Sequence, residues 1–284
     1  MIKLKILIIF MLIFKYAVMD FTTKYGKTAL IAGASEGIGA AFSDALAKAG
    51  MDLIMIARKK EPLENYASSL ATRYNIKTQA ISCDLSELQA AEQVKRSLDG
   101  IEIDMFVYNA ALSFIGPFEN DSSDHSNRIA VANMITPMNM TRIFGEEMLK
   151  RKRGAIILMA SMAGFQGSGF LSVYASSKAF NRVFAESLWY EWKNKGVDVI
   201  ACCAGATSTK NYLETNPADP GFFAPRVTTP GEVVKECLKN LGKRPSFLAG
   251  RGNRAASFFM QRILPRKMAV NIMGDNTRRI YNII

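Results

Sequence analysis

A tyrosine and a lysine stand four residues apart at Tyr174 and Lys178. On an α-helix, positions i and i+4 lie on the same face, so the phenol and the ammonium would be neighbours. A nearby positive charge favours the phenolate, which predicts that Lys178 lowers the pKa of Tyr174 below its reference value of about 10. A tyrosine tuned in this way can act as a general acid or base on a carbonyl or an alcohol. Alone, the pair is also typical of a solvated helix face.

A cluster of glycines follows a short apolar segment near the start of the chain. Residues Lys27–Ala32 predict a buried strand, and the turn Gly33-Ala-Ser-Glu-Gly37-Ile-Gly39 comes directly after it. An apolar pattern of helical spacing then continues to Gly50. An isolated glycine cluster would be an ordinary loop, but strand, glycine turn and helix in this order are typical of dinucleotide-binding turns. The turn would let the backbone approach a pyrophosphate, whose charge the helix N-terminus favours.

The rest of the chain alternates strand-like and helix-like segments. The predicted strands are Thr28–Ala32, Asp52–Ala57, Ile76–Cys83, Ile103–Tyr108, Ala155–Ala160, Val197–Cys203 and Ser246–Ala249. Strands separated by helix-length segments predict an α/β fold with a doubly wound, seven-stranded parallel sheet, the Rossmann fold. Ligands of such sheets bind at the carboxyl ends of the strands. Gly33, Asn109, Ser161 and Gly205 all follow a predicted strand, so we expect them to share one site.

These segments together resemble the short-chain dehydrogenases/reductases of the single-domain, Tyr-x-x-x-Lys type. The glycine motif Thr-Gly-x-x-x-Gly-x-Gly matches Ala32–Gly39, with Ala32 in place of Thr, and the catalytic serine matches Ser161. The Asn-Asn-Ala-Gly motif matches Tyr108–Ala111 only in its middle residues. The Pro-Gly-x-x-x-Thr segment matches Ala204–Thr209 without its proline. The resemblance covers roughly residues 25–250.

The resemblance implies a catalytic set and a cofactor-binding set, and no metal. The catalytic residues are Asn133, Ser161, Tyr174 and Lys178. The cofactor-binding residues are Gly33, Ser35, Glu36, Gly37, Ile38, Gly39, Arg58, Asp84, Leu85, Asn109, Ala110, Tyr174, Lys178, Gly205, Thr207 and Thr209. By the family's pattern, Tyr174 exchanges a proton with the carbonyl oxygen, and Ser161 donates a hydrogen bond to it. Lys178 holds the nicotinamide ribose, and Asn133 holds a water that relays protons past Lys178.

The end of the second predicted strand favours NADP(H) over NAD(H). An acidic residue there would bind the ribose 2′-hydroxyl of NAD, whereas an arginine accommodates the 2′-phosphate of NADP. The chain has Ala57 followed by Arg58, and Ser35 in the glycine turn could add a hydroxyl. Asp84 matches the family's contact to the adenine ring. Its alternative role is the N-cap of the next helix.

Charge and the rare residues exclude several classes of function. The formal net charge is +11, of which residues 1–18 carry +3 and residues 243–284 carry +8, so the intervening residues sum to zero. This distribution argues against nucleic-acid binding, which would require a basic structured face. His125 is the only histidine, which excludes a Ser-His hydrolase. The cysteines Cys83, Cys202, Cys203 and Cys237 show no metal-type spacing and fit reduced thiols of a cytoplasmic protein.

The two termini are basic and apolar. Residues 1–18 contain the apolar run Ile6–Phe14, too short to span a bilayer, and are either a weak anchor or the product of a start codon assigned too early. Residues 19–250 are expected to form the NADP-binding catalytic domain. Residues 251–284 are expected to form a basic, amphipathic helical tail, with one helix over Arg254–Leu264 and a second short segment over Lys267–Met273. This tail could cover the substrate pocket, form a subunit interface, or lie peripherally on an anionic membrane.

The substrate is predicted to be a hydrophobic small molecule. The segment Thr207–Arg226 has the position of the family's mobile substrate lid and is rich in apolar side chains: Tyr212, Leu213, Phe222 and Phe223, with Pro217, Pro220 and Pro225. With Met162, Phe165 and Phe170 near the serine, these favour an acyl or sterol-like carbonyl or alcohol over a sugar. The resemblance implies a homodimer or homotetramer. The alternative function is a catalytically idle NADP(H)-binding sensor or scaffold that docks on a membrane or a partner through its basic tail.

Overall fold

The computed structural model describes residues 21–218 and 226–283. The N-terminal extension, residues 1–18, lies outside the described residues, as do Phe222, Phe223, Pro220 and Pro225 of the lid segment.

A parallel sheet of seven strands forms the centre of the molecule. The strands are β1 (Thr28–Ala32), β2 (Asp52–Ala57), β3 (Thr78–Ser82), β4 (Met105–Tyr108), β5 (Gly154–Ser161), β6 (Val197–Ala204) and β7 (Ser246–Leu248). Their order is β3-β2-β1-β4-β5-β6-β7, and every neighbouring pair is parallel. The order reverses direction between β1 and β4, which is the topological switch point where doubly wound sheets bind ligands. The predicted Rossmann fold is confirmed: the strands are parallel, and all except the edge strand β3 are largely apolar and buried on both faces.

Helices cover both faces of the sheet. They are α1 (Phe21–Tyr25), α2 (Gly37–Lys48), α3 (Lys60–Tyr74), α4 (Ala90–Ser97), α5 (Ser123–Ala130), α6 (Thr136–Lys150), α7 (Ser172–Trp192), α8 (Lys210–Glu214), α9 (Pro230–Asn240), α10 (Arg251–Arg262) and α11 (Arg266–Ile280). Helices α2, α3 and α9 pack on one face, while α4, α6 and α7 pack on the other. Cys202 and Cys203 point to opposite faces, as the period of two along a strand requires, and all four cysteines are buried and free.

The C-terminal segment forms two helices, as the apolar spacing predicts. The second is longer than expected, since α11 runs to Ile280 where the sequence predicted an end near Met273. Asn253, Ser257, Ala269 and Thr277 are buried, so both helices pack on the body of the protein. Within the described residues, no helix is long and apolar enough to cross a membrane.

Candidate active site

The glycine turn after β1 admits no side chain at its two ends. A Cβ atom on Gly39 would lie 1.8 Å from the carbonyl oxygen of Gly33, and one on Gly33 would lie 2.7 Å from the backbone nitrogen of Ala110. Gly33 also has a φ of +79°, a conformation that favours glycine. Asn109 fixes the turn from the end of β4, because its Nδ2 donates to the Gly33 carbonyl over 3.1 Å. The turn therefore leaves an open backbone cradle beside α2, which is the feature that a dinucleotide requires.

The remaining predicted residues of this turn line the start of α2. Ser35 is half-buried, Glu36 is exposed at the N-cap position without a side-chain cap, and Ile38 packs against the core. A Cβ on Gly37 would lie 2.9 Å from the Thr209 Cγ2 atom, so the loop after β6 closes over the glycine turn.

Asp84, after β3, is held by partners that the sequence did not predict. It does not cap the next helix, because α4 begins at Ala90 with Gln89 as its N-cap. Its Oδ1 accepts from the backbone nitrogen and the hydroxyl of Ser86 over 3.0 and 2.7 Å, and its Oδ2 pairs with Arg128 Nη2 over 2.9 Å. Burial by itself would raise the pKa of Asp84, but the hydrogen bonds from Ser86 and the charges of Arg128 and Arg58 outweigh it and lower the pKa.

Arg58 and Leu85 flank this corner. Arg58 is exposed and directly follows β2, whose last residue is the buried Ala57. Its guanidinium is near enough to Asp84 to act on that carboxylate. Leu85 is buried, and its carbonyl accepts a hydrogen bond from the Thr136 hydroxyl.

Ser161, Tyr174 and Lys178 meet beyond the end of β5. Ser161 is the last residue of the strand, and its Oγ accepts from the backbone nitrogen of Ala163 over 3.2 Å. The short 3₁₀ turn that follows packs closely on α7, since a Cβ on Gly164 would lie 2.6 Å from the Ala179 nitrogen. A hydrogen bond joins Ser161 to Tyr174. The structure thus brings together three residues that the sequence separates by up to seventeen positions.

The ionisation of the pair differs from the expectation. Burial raises the pKa of Tyr174, and the hydrogen bond from Ser161 offsets part of that rise. Burial also lowers the pKa of Lys178 to about 8, with an opposing effect of Cys203. The Lys178 Nζ lies 5.7 Å from the centroid of the Tyr174 ring and donates to the Met159 carbonyl over 3.1 Å. The predicted lowering of the tyrosine pKa by Lys178 is therefore wrong for this structure, because desolvation outweighs the charge of a distant ammonium.

Asn133 is buried on a π-helical turn, Val131–Ile135, between α5 and α6. Its Nδ2 donates to the Leu112 carbonyl and to the Ser177 hydroxyl, both over 2.9 Å, and its Oδ1 accepts from the Leu112 nitrogen. Both amide hydrogens are thus used on protein groups. The side chain thus ties the loop after β4 to α7, and the predicted water-holding role of Asn133 stays a prediction.

The loop after β6 supplies the third side of the site. A Cβ on Gly205 would lie 2.6 Å from Asn253 Nδ2, so α10 packs against the end of this strand. Thr207 is buried and hydrogen-bonds the Gly205 carbonyl, while its backbone forms a parallel bridge to Thr228. Thr209 caps α8 by accepting from the Tyr212 nitrogen. These contacts fix the loop close to the glycine turn.

Helix α11 packs on the segment that leads into α7, close to Tyr174. A Cβ on Gly169 would lie 3.2 Å from the Cα of Gly274, and Arg278 stacks on the Phe170 ring at 5.2 Å. Tyr281, just after α11, has a pKa raised by burial and by the nearby Tyr212 and Tyr174. The tail therefore packs beside Tyr174, and its predicted role as a cover of the substrate pocket stays a prediction.

No cluster of metal-binding side chains occurs in residues 21–218 and 226–283. The site offers a proton donor, hydrogen-bond donors and a backbone cradle.

The sequence matches a family model described as short chain dehydrogenase over residues 27–219. Among curated proteins, a 7beta-hydroxysteroid dehydrogenase of Clostridium sardiniense is 33% identical over 236 residues, covering 83% of this chain and 90% of its own. A very-long-chain 3-oxoacyl-CoA reductase of Anas platyrhynchos is 29% identical over 260 residues, covering 90% of this chain and 81% of its own.

Solved structures agree with this match. A 7beta-hydroxysteroid dehydrogenase structure superposes with a TM-score of 0.83 at 29% identity, covering 90% of this chain and 99% of its own. A short-chain dehydrogenase of Sphingobium yanoikuyae in complex with NADPH gives a TM-score of 0.71 at 26% identity, covering 78% of this chain and 87% of its own.

Proposed function

This chain belongs to the short-chain dehydrogenase family of oxidoreductases, and from that membership we propose an NADP(H)-dependent enzyme that transfers hydride between the nicotinamide and a hydrophobic carbonyl or secondary alcohol. The observation that carries the proposal is the meeting of Ser161, Tyr174 and Lys178 beyond β5, next to the glycine cradle. A proton donor, an oxygen-binding hydroxyl and a buried cation in one cleft suit carbonyl reduction.

The residues around the cradle fit a nicotinamide dinucleotide. Side chains are excluded at Gly33 and Gly39, which leaves the backbone free to approach a pyrophosphate. The choice of NADP(H) rests on Arg58, which is exposed beside the buried Ala57 with no acid at the strand end. Asp84, kept ionised by Ser86 and Arg128, would accept a hydrogen bond from the adenine. The NADPH complex of a relative gives this assignment further support.

The chemistry of the protein groups follows from their contacts. The bound nicotinamide supplies or accepts the hydride. Tyr174, whose pKa is raised by burial, stays protonated at neutral pH and is ready to give its proton to the carbonyl oxygen. The Ser161 hydroxyl, which hydrogen-bonds Tyr174 in this structure, would turn its hydrogen to the same oxygen when a carbonyl is bound. Lys178 would hold the nicotinamide ribose. A protonated Tyr174 together with NADPH favours reduction of the carbonyl over oxidation of the alcohol.

The substrate class is inferred from the cover over the site. Helix α11 packs against Gly169 and Phe170 just before α7, Tyr281 lies near Tyr174, and Arg266 Nη1 donates to the Phe165 carbonyl over 3.3 Å. Apolar and aromatic walls favour a bulky hydrophobic substrate over a sugar. Relatives named for a hydroxysteroid and for a very-long-chain 3-oxoacyl thioester support the same class.

The test is oxidation of NADPH, with NADH as the comparison, followed at 340 nm. The panel contains sterol-like ketones, 3-oxoacyl thioesters of increasing chain length and a reducing sugar. We expect turnover with NADPH that rises with the apolar size of the substrate. Turnover confined to the sugar would contradict the substrate class. Tight NADPH binding with no turnover on the whole panel would favour the sensor or scaffold alternative.

A second role, peripheral docking on an anionic membrane, is proposed for the outer surface of the tail. The apolar side chains that it exposes, here called the tail patch, are Phe258, Phe259, Ile263, Met268 and Ile272, each 44–63% exposed. Seven basic residues and one acidic residue lie on α10 and α11. Two copies of so basic a face would repel each other, whereas an anionic bilayer is complementary to it. The protein would then lie on the cytoplasmic side of the membrane. Its homodimer or homotetramer would form through a face other than the tail patch.

Vesicle sedimentation tests this role. We expect the protein to sediment with vesicles of phosphatidylcholine and phosphatidylglycerol, but not with phosphatidylcholine alone, and to be released by salt. The double variant Phe258→Ser, Phe259→Ser should lose binding while keeping turnover. Leu88→Ser, which changes an equally exposed leucine on another surface, is the matched control. Equal sedimentation of both variants would exclude the tail patch as the docking surface.

A further inference from the structure

The ammonium of Lys178 is buried with few partners. Lys178 is 3% exposed, and the hydrogen bond of its Nζ runs to the Met159 carbonyl over 3.1 Å. An ammonium carries three hydrogens, and a buried charge is costly unless each of them is satisfied. Lys178 therefore depends on whatever polar groups stand beside the Met159 carbonyl.

Asn181 stands there, one helical turn after Lys178 on α7. Its Nδ2 points to the same Met159 carbonyl at 3.4 Å, so one backbone oxygen faces both side chains. Asn181 is 1% exposed, and its Oδ1 is buried without a hydrogen-bond donor among the described residues. Buried amide oxygens in folded proteins are nearly always hydrogen-bonded, to protein or to water. An acceptor is thus available near an ammonium with hydrogens to donate.

Other groups near Lys178 cannot take this place. The acceptor of Asn133, its Oδ1, already accepts from the Leu112 nitrogen over 2.9 Å. Cys203, which faces Lys178 from β6, has a pKa raised by burial and is a neutral thiol. Tyr174, on the same helix, presents its ring 5.7 Å away and is itself protonated.

Farther along α7, Arg182 pairs with Glu186 over 3.6 Å. From β5, Lys178 meets the Met159 carbonyl, and the Ser161 hydroxyl beyond it is bonded to Tyr174. The pKa of Lys178 is set by burial and by Cys203, and no carboxylate contributes to it.

We propose that Asn181 is a positioning residue for Lys178: its amide nitrogen orients the Met159 carbonyl, and its Oδ1 holds a buried water that accepts a hydrogen bond from the Lys178 Nζ. Such a water would accept a hydrogen bond from the ammonium and donate one to the amide oxygen, which gives it two of the roughly two to four polar partners that buried waters have. It would keep Lys178 charged inside the protein, next to the ribose that the proposed function assigns to it. The inference rests on that function for its effects on NADPH affinity and on turnover.

The test uses two variants with opposite expected effects. Asn181→Leu keeps the volume but removes both polar contacts, so the ammonium is less stabilised and loses its proton at lower pH. Asn181→Asp adds a negative charge, so the ammonium keeps its proton to higher pH. The pH dependence of NADPH affinity, measured by fluorescence titration, should show its alkaline midpoint moved by roughly half to one pH unit in these opposite directions. The alkaline limb of kcat/KM should move in parallel.

Thr141→Val is the matched control, because Thr141 is also buried with an unpartnered polar atom but lies on α6. It should leave the midpoint unchanged. Circular dichroism melting identifies misfolded variants, and if Asn181→Leu does not fold, Asn181→Met, which also removes the amide oxygen at similar volume, should show the same downward shift of the midpoint. Coincident midpoints in wild type and both variants would overturn the inference. If the midpoints shift in the variants but the wild type turns over no carbonyl, the proposed function is overturned and the role of Asn181 is kept.

Discussion

Replacing Gly39 by alanine tests the backbone cradle directly. The added Cβ would lie 1.8 Å from the Gly33 carbonyl oxygen and 2.8 Å from Asn109 Nδ2, well inside van der Waals contact. Because the close neighbour is backbone, the turn must move by about 1 Å or more to relieve the overlap, and overpacking of this kind costs about 1–3 kcal/mol. The Asn109 bond to Gly33 would be lost with it.

The assay pairs urea unfolding with titration of NADPH fluorescence. We expect Gly39→Ala to lower the free energy of unfolding by about 1–3 kcal/mol. It should weaken NADPH binding at least about tenfold, which corresponds to about 1.4 kcal/mol. Gly231→Ala is the control, because a Cβ there meets nothing within 4 Å. Gly231 lies in α9, where alanine should be neutral or stabilise by up to about 1 kcal/mol.

Unchanged NADPH affinity in Gly39→Ala, with the same stability as the control, would refute the reasoning that the turn is the cofactor cradle. A loss of stability with unchanged affinity would show a structural turn without a role in binding.

Three further outcomes are expected. Tyr174→Phe should lower kcat by about 10²-fold or more while NADPH affinity stays the same. Tyr190→Phe, on the exposed face of the same helix, should change neither kcat nor NADPH affinity. Retained turnover in Tyr174→Phe would exclude the role of Tyr174 as proton donor. Arg58→Ala should weaken NADPH about tenfold or more and leave NADH unchanged, with no loss of stability because the side chain is exposed; equal effects on both cofactors would remove Arg58 from the 2′-phosphate. The folded pKa of Lys178, lowered to about 8, lies below its unfolded value, so the unfolded state binds more protons between these values. The free energy of unfolding should therefore rise from about pH 8 upward relative to Lys178→Met, and parallel pH curves for the two proteins would contradict the burial of the charge.

Local patterns sufficed for the fold and for most of the site. The strands other than the edge strand β3 are short apolar runs, the longer helices have apolar spacing, and the glycine turn joins β1 to α2 within a few residues. Tyr174 and Lys178 share a helix face at a fixed spacing, so their proximity follows from geometry within one element. The parallel topology then brings Gly33, Asn109 and Ser161 to one edge of the sheet.

Contacts between distant segments decided the rest. Arg128 reaches Asp84 across forty-four positions, and no spacing rule links them. The partners of Asn133 and the length of α11 likewise depend on packing between elements.

The sequence by itself therefore determined the sheet, the glycine turn and the choice of candidate catalytic residues, because these depend on spacing within a strand, a turn or a helix. Only the tertiary structure decided their electrostatics. The pKa of Tyr174 rises and that of Lys178 falls because neighbouring elements bury both groups. The burial of a group depends on every element that packs around it, so it cannot be predicted from the spacing of two residues on one helix.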